Sequence, residues 1–283
     1  MSQNAPELSV VTVVLNDLGG LERAIKSVQR QVSISIEMII VDGGSIDGSA
    51  ELAAKHSSVL IDSKSDGGIY PAMQRGAASA SGEYLIFCNS GDEFFGLEFL
   101  TKAITELRDS NSNWGFGPIL ERTLRNSYAW VPAIEDASSR SIIYREIFVP
   151  FPSFIIKRDF YNKIGGLTSD YKIAGDFELI CKAALASNPL VFKEPIALFF
   201  AGGVSYTRAD LAWREEIKIR TKLLSLSLIT QSREWIKYLM RISRWKIGKV
   251  LDKVQATFFK DFQSWRNMRA IEVPTKYNQF LTK

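Results

Sequence analysis

The sequence predicts an α/β fold, with a mostly parallel sheet held between helices and a helical extension behind it. Three observations carry this. Short apolar runs rich in β-branched residues alternate with amphipathic segments through the first ninety residues, the order expected of strand–helix–strand units. Acidic, glycine-containing turns follow these runs directly, where such sheets place their ligands. From Asp210 onward the pattern is helical and lacks glycine until Gly248.

Taken in order, Leu8 to Leu15 (LSVVTVVL) is a nearly continuous apolar run, as expected for a strand covered on both faces. Leu21, Ala24, Ile25 and Val28 follow at helical spacing. Ile36 to Val41 is a second buried strand, leading into the turn-rich stretch Asp42 to Ser49. Ala50 to His56 reads as helix, Val59 to Ile61 as a short third strand and Ile69 to Ala80 as helix. Tyr84 to Cys88 is a fourth strand, ending in Asn89-Ser90-Gly91-Asp92. Farther on, Trp114 to Ile119, Ser127 to Val131 and Phe154 to Ile156 read as strands, and Phe177 to Ala186 as a helix starting near Asp176. Residues 1–209 form the expected body and 210–283 the extension.

Composition narrows the function classes. With 46% hydrophobic residues, the 283-residue chain has the material for a packed core, which excludes wholesale disorder. Its two cysteines, Cys88 and Cys181, exclude a disulfide framework and a cysteine-based zinc site; both sit in apolar segments and are expected in the core. A single histidine, His56, excludes multi-histidine metal sites and is expected on a solvated helix surface. Met1 to Leu8 carries no basic region followed by an apolar stretch, so no signal peptide is expected. No apolar run reaches the roughly 18 residues of a membrane span.

Four acidic clusters carry the chemistry. Asp42 heads a loop that can bind a nucleobase or ribose donor, or can be a turn in which Asp47 caps the next helix. Asn89 to Glu93 offers closely spaced oxygen ligands for a hard divalent cation, or an ordinary turn. Asp176, at a helix start, is either an N-cap or a general base in a fixed position. Asp66-Gly67-Gly68 permits close backbone approach to a ligand, and Arg75 beyond it can reach a diphosphate or stay solvated.

Together these pieces resemble the family 2 glycosyltransferases, which have the GT-A fold, a Rossmann-like nucleotide-binding architecture. The resemblance rests on SVVTVVLN (Ser9 to Asn16), IIVDGGSIDGS (Ile39 to Ser49), SDGGIYPAMQRG (Ser65 to Gly76), GEYLIFCNSGDEF (Gly82 to Phe94), FIIKRDFYNKIGGL (Phe154 to Leu167) and AGDFEL (Ala174 to Leu179). The VDGGS and NSGD variants look most like the colanic-acid-type branch. The resemblance covers about residues 8–206. It implies inverting transfer of a sugar from a UDP- or GDP-sugar to a hydroxyl of a glycan or polyprenyl-linked acceptor, in surface polysaccharide synthesis. It further implies Asp176 as catalytic base and Asp92 as ligand of Mn²⁺ or Mg²⁺. Val13, Asn16, Asp42, Gly43, Asp66, Arg75, Asn89, Ser90 and Gly91 are implied around the nucleotide-sugar. The chain departs from the family pattern in having one aspartate at Asp42-Gly43 where many relatives have two. Asn89 and Gly91 replace the usual acids of the metal-binding region, Pro71 replaces an acidic residue, and Pro152 stands where a histidine is common. The QxxRW signature of processive synthases is absent, so single-sugar addition is expected.

Charge divides the chain. Residues 211–283 carry 16 Lys+Arg and 6 Asp+Glu, a net of +10, which leaves −6 for residues 1–210. Four of the six tryptophans lie in this tail. Trp235, Leu239, Ile242 and Trp245 fall near one helix face, with Arg233, Lys237, Arg241 and Arg244 opposite. That pattern predicts contact with an anionic membrane surface, hence a cytoplasmic protein peripheral on the inner face of the cell membrane. A helix packed on the body, or an oligomer contact, gives the same spacing. No nucleic-acid motif accompanies the basic residues, so nucleic acid is not an expected partner. Two rival readings are a catalytically degenerate nucleotide-binding relative and a nucleotidyltransferase. The latter needs a basic glycine-rich loop after the first strand, and Asn16 to Gly20 has no basic residue.

Overall fold

The computed structural model describes residues 5–56, 59–62, 67–122, 128–134, 137–200, 208–255 and 273–280. Strands β1 (Leu8–Val14), β2 (Ile36–Asp42), β3 (Val59–Asp62) and β4 (Tyr84–Phe87) are connected through helices α1 (Leu18–Gln29), α2 (Ser49–His56) and α3 (Ile69–Ala78). Then come β5 (Glu93–Phe94), α4 (Phe99–Asp109), β6 (Trp114–Phe116), β7 (Ile119–Arg122), β8 (Tyr128–Val131) and α5 (Ser139–Ile143). β9 (Ile155–Lys157), α6 (Arg158–Lys163), α7 (Gly175–Ala186), β10 (Leu190–Val191) and β11 (Ala197–Phe200) complete the body. Helices α8 (Ala209–Leu224) and α9 (Leu228–Gln255) follow.

The main sheet has the order β10-β6-β9-β4-β1-β2-β3 and is parallel except at β9, which runs against both neighbours. The mostly parallel α/β expectation holds. Period-two alternation explains why the strands read as continuous apolar runs. Val10, Val14, Met38, Ile40 and Ile86 pack on one face against α1 and α4. Val11, Val13, Ile39, Val41 and Phe87 pack on the other against α3 and α7. Gly76 lets α3 lie close to the sheet, since a Cβ there would stand 2.5 Å from Val11 Cγ1. Cys88 and Cys181 are both buried, and His56 is exposed, as expected.

The stretch Trp114 to Ile119, expected as one strand, is two. β6 belongs to the main sheet and β7 to a second sheet of order β5-β11-β7-β8. Gly117-Pro118 separates them, and proline has no N–H to continue a ladder.

The helical run from Asp210 breaks at Ser225, whose φ of 47° is left-handed. α8 buries Trp213, Glu215, Ile217 and Ile219, and its buried Arg220 pairs with Glu234 of α9 at 2.9 Å. The expected apolar face of α9 is divided. Ile242 is buried while Leu239 is exposed, and Arg241, expected on the cationic face, lies 4.2 Å over the Trp213 ring. The reason is that α9 packs against α8 and turns Glu234 and Ile242 inward. Among the described side chains of α9, the large apolar ones left in water are Leu228, Ile229, Ile236, Leu239 and Met240. The side chains of Arg244 and Trp245 lie outside those described. Near the end of the chain, Tyr277 stacks on Trp130 at 5.1 Å and its hydroxyl donates to Glu194 Oε2 at 2.6 Å. No helix among the described residues is long and apolar enough to cross a membrane.

Candidate functional site

Three loops meet at the carboxyl ends of β1, β2 and β4. Gly43 N–H donates to the Val14 carbonyl at 2.8 Å, and Ser90 N–H to the Val13 carbonyl at 3.1 Å. Asn16, at a left-handed φ of 51°, accepts from Ile46 N–H at 2.9 Å through Oδ1, and its own N–H donates to Ser45 Oγ at 2.8 Å. Leu18 N–H donates to Asp47 Oδ2 at 2.9 Å. The β1–α1 and β2–α2 loops are thus stitched into one surface. Gly91, at φ 95°, brings the β4 loop up beside Asp17, the N-cap of α1: a Cβ on Gly91 would lie 3.7 Å from Asp17 Oδ2.

Asp42 is buried, and its Oδ2 accepts from Gly44 and Ser45 N–H, each at 2.9 Å. One carboxylate oxygen therefore shapes its own loop. Asp47 accepts from Ser49 at the start of α2, which supports the capping alternative for that residue. Asp92 is also buried. Desolvation pushes its carboxyl up to about 7, against the backbone N–H groups of Phe200 and Asn89 that favour the charged form. Asn89 Oδ1 is buried without a hydrogen-bond partner among the described residues. Among those residues no group of three or more acidic, histidine or cysteine side chains forms a metal cage. A buried carboxylate that resists ionisation and an orphaned amide oxygen nevertheless suit a hard cation that takes its other ligands from phosphate and water.

Asp176 occupies the first turn of α7. Its Oδ1 accepts from Phe177 N–H at 2.8 Å and from the Tyr70 hydroxyl at 3.1 Å. Tyr70 comes from the first turn of α3, at the end of the sheet where the loops gather, and also donates to the Ile173 carbonyl at 2.5 Å. Burial holds its phenol well above the usual range, so it stays a donor. Gly175 makes the contact possible, because a Cβ there would stand 2.8 Å from the tyrosine ring. Burial raises the Asp176 carboxyl; Arg145, the Phe177 amide and Tyr70 oppose the rise, and Glu216 adds to it. From α8, Glu215 accepts from the N–H groups of Lys172, Ile173 and Ala174 at 2.9–3.0 Å and so fixes the segment before Asp176.

The sequence-derived residues Val13, Asn16, Asp42, Gly43, Asn89, Ser90, Gly91 and Asp92 come together in the stitched loops. Asp176 stands with Tyr70. Arg75 is half-buried in the last turn of α3, about 7.5 Å along the axis from Tyr70. Asp66 lies outside the described residues. Tyr70, Asp17, Arg145 and Glu215 were not assigned roles from sequence. Tyr70 stands inside a motif already singled out, but its partner is 106 residues away, beyond any local pattern.

Residues 9–165, more than half of the chain, match the family model described as Glycosyl transferase family 2. The chain belongs to this family. An uncharacterized glycosyltransferase of Mycobacterium tuberculosis strain H37Rv is 34% identical to this family 2 glycosyltransferase over 215 residues, 74% of this chain and 80% of its own. A PGL/p-HBAD biosynthesis glycosyltransferase of Mycobacterium bovis is 24% identical over 251 residues, 84% of this chain and 94% of its own. The fold is that of S. aureus TarS 1–349, solved with UDP-GlcNAc (TM-score 0.62, 18% identity, 82% of this chain and 71% of that one). It is shared with the mannosyltransferase PcManGT of Pyrobaculum calidifontis, solved with GDP-Man and Mn²⁺ (TM-score 0.57, 13% identity, 94% and 85%). These neighbours establish the GT-A fold.

Proposed function

We propose that this glycosyltransferase moves one sugar, with inversion, from a UDP- or GDP-sugar to a hydroxyl of a glycan or lipid-linked acceptor. The pairing of Asp176 with Tyr70 carries the reading. A carboxylate whose proton affinity is raised by burial, and whose position is fixed by a phenol, a helix N-terminus and Glu215, is equipped as a general base. The acceptor O–H bond breaks as its oxygen bonds to the anomeric carbon, and Asp176 takes the proton. The bond from that carbon to the donor phosphate breaks on the opposite face, which inverts the configuration. The stitched loops would bind the nucleotide diphosphate, with Asp42, Gly43 and Asn16 on the nucleoside side. Asp92 and Asn89 would hold Mn²⁺ or Mg²⁺, which neutralises the leaving diphosphate when bound.

The role proposed for it is in surface polysaccharide synthesis; one relative is described as a PGL/p-HBAD biosynthesis glycosyltransferase. The VDGGS and NSGD motifs support a place in the colanic-acid-type branch. The exposed apolar side chains of α9 on a basic tail support peripheral attachment to an anionic membrane face.

The test is nucleotide release from UDP- and GDP-sugars with Mn²⁺ or Mg²⁺. Wild type should release nucleotide from one donor, and Asp176→Asn should lose about 100-fold or more of that rate. Asp176→Asn releasing nucleotide at the wild-type rate would remove the base assignment.

A further inference from the structure

A cavity of about 410 Å³ opens between α5, α8 and α9. Six cations line it: Arg140, Arg145, Arg220, Arg233, Lys237 and Arg241. Only three acids accompany them, Glu146, Glu216 and Glu234, so the lining carries three positive charges in excess. Two of those acids form ion pairs with lining cations. Glu216 pairs with Arg145 at 3.0 Å, and Glu234 with Arg220 and Lys237 at 2.9 Å each.

The cavity reaches toward the segment of Asp176 through one lining residue. Arg145 lines it, and its guanidinium lies 4.3 Å from the ring centroid of Phe177, the residue next to Asp176. Arg145 and Glu216 both act on the Asp176 charge. Arg145 also holds a left-handed φ of 58°, and its Nε is buried without a hydrogen-bond partner among the described residues. The left-handed φ closes the end of α5, where Arg145 N–H donates to the Ile142 carbonyl at 3.0 Å and Glu146 N–H to the Ser141 carbonyl at 2.8 Å. Burial lowers Arg241 to about 10, with Glu216 opposing the fall and Arg145 and Arg220 adding to it.

We propose that this cavity is the acceptor site and that it takes an acceptor bearing a phosphoryl group near the attacking hydroxyl. The assignment rests on the sugar-transfer reading above. An excess of three charges calls for a multiply charged anion rather than a single carboxylate, and guanidinium forks match phosphate oxygens in pairs. The phosphate can come from a lipid-linked acceptor or from a soluble phosphorylated glycan.

The experiment titrates the full chain calorimetrically with inorganic diphosphate in EDTA, comparing wild type with Arg140→Gln/Arg233→Gln. Both arginines are exposed, so the fold is expected to persist, and thermal unfolding checks it. A second variant, Lys237→Gln, guards against a misfolded first one. Diphosphate should bind wild type and bind the double variant about tenfold more weakly or worse. No binding to wild type, or equal binding to all three chains, overturns the proposal. Phosphatidylcholine vesicles containing phosphatidic acid assign the source. Displacement of vesicle-bound protein by diphosphate marks a lipid-borne phosphate, and a lack of vesicle binding marks a soluble one. Nucleotide release by the same wild-type preparation separates the two readings. Release without diphosphate binding defeats the acceptor site alone. Diphosphate binding by a chain that releases nucleotide from no donor overturns both.

Discussion

At the scale of single residues, Tyr70 has the least obvious role and makes the sharpest prediction. Its hydroxyl stabilises the charged form of Asp176, so its removal raises the proton affinity of that carboxylate, the proposed base, further. Tyr70→Phe should therefore move the acid limb of the pH–rate profile to higher pH. At a fixed pH on that limb the rate should fall about fivefold, the worth of one hydrogen bond. A merely structural tyrosine would lower thermal stability and leave the profile where it was. Asp176 itself was legible because a carboxylate at a helix start is a local pattern. Its neighbours Tyr70, Arg145 and Glu215 were not, because folding rather than spacing brings them there. Asn16 was singled out in the sequence, but not that its side chain and backbone would bond to the β2–α2 loop.

At the scale of elements, α8 matters most. It lies in the segment read as a tail, yet its Glu215 accepts three backbone N–H groups just ahead of Asp176. Glu215→Ala leaves those amides without their acceptor. The expected loss is about 2–4 kcal/mol in urea unfolding, with a fall in kcat larger than any change in KM. Glu215→Gln keeps one acceptor oxygen and should recover part of both. The first four strands and the helices α2 and α3 were legible to within about two residues, since continuous apolar runs between turns and helical spacing leave little choice. The short strands β5, β10 and β11 were not, being two to four residues long and fixed by partners far along the chain. The face α9 presents to water could not be read from periodicity either, because Trp213 of α8 claimed Arg241 for a ring contact.

At the scale of the whole molecule, Asp92 ties stability to pH. Its carboxyl sits at about 7 in the fold against an ordinary 3.8, so between those values the folded chain binds more protons than the unfolded one. Stability of the metal-free protein should fall as pH rises from about 4 to about 7 and level off above. Glu37, Glu194 and Glu234, lowered from an ordinary 4.5, work the other way and offset part of the slope near its acid end. Thermal midpoints measured in EDTA across this interval check the slope. Mn²⁺ with the donor nucleotide should flatten it, because the cation takes the proton's place.

The bonds from Glu215 have one more consequence. The helix that orders residues 172–174 also walls the arginine-lined cavity, so the two places share a free energy. An occupant that steadies α8 lowers the entropy left in the segment before the base. By thermodynamic reciprocity, an engaged base tightens the occupant by the same factor. The amide protons of Ile173 and Ala174, bonded to Glu215 at 2.9 Å, are the place where that exchange is written into the molecule.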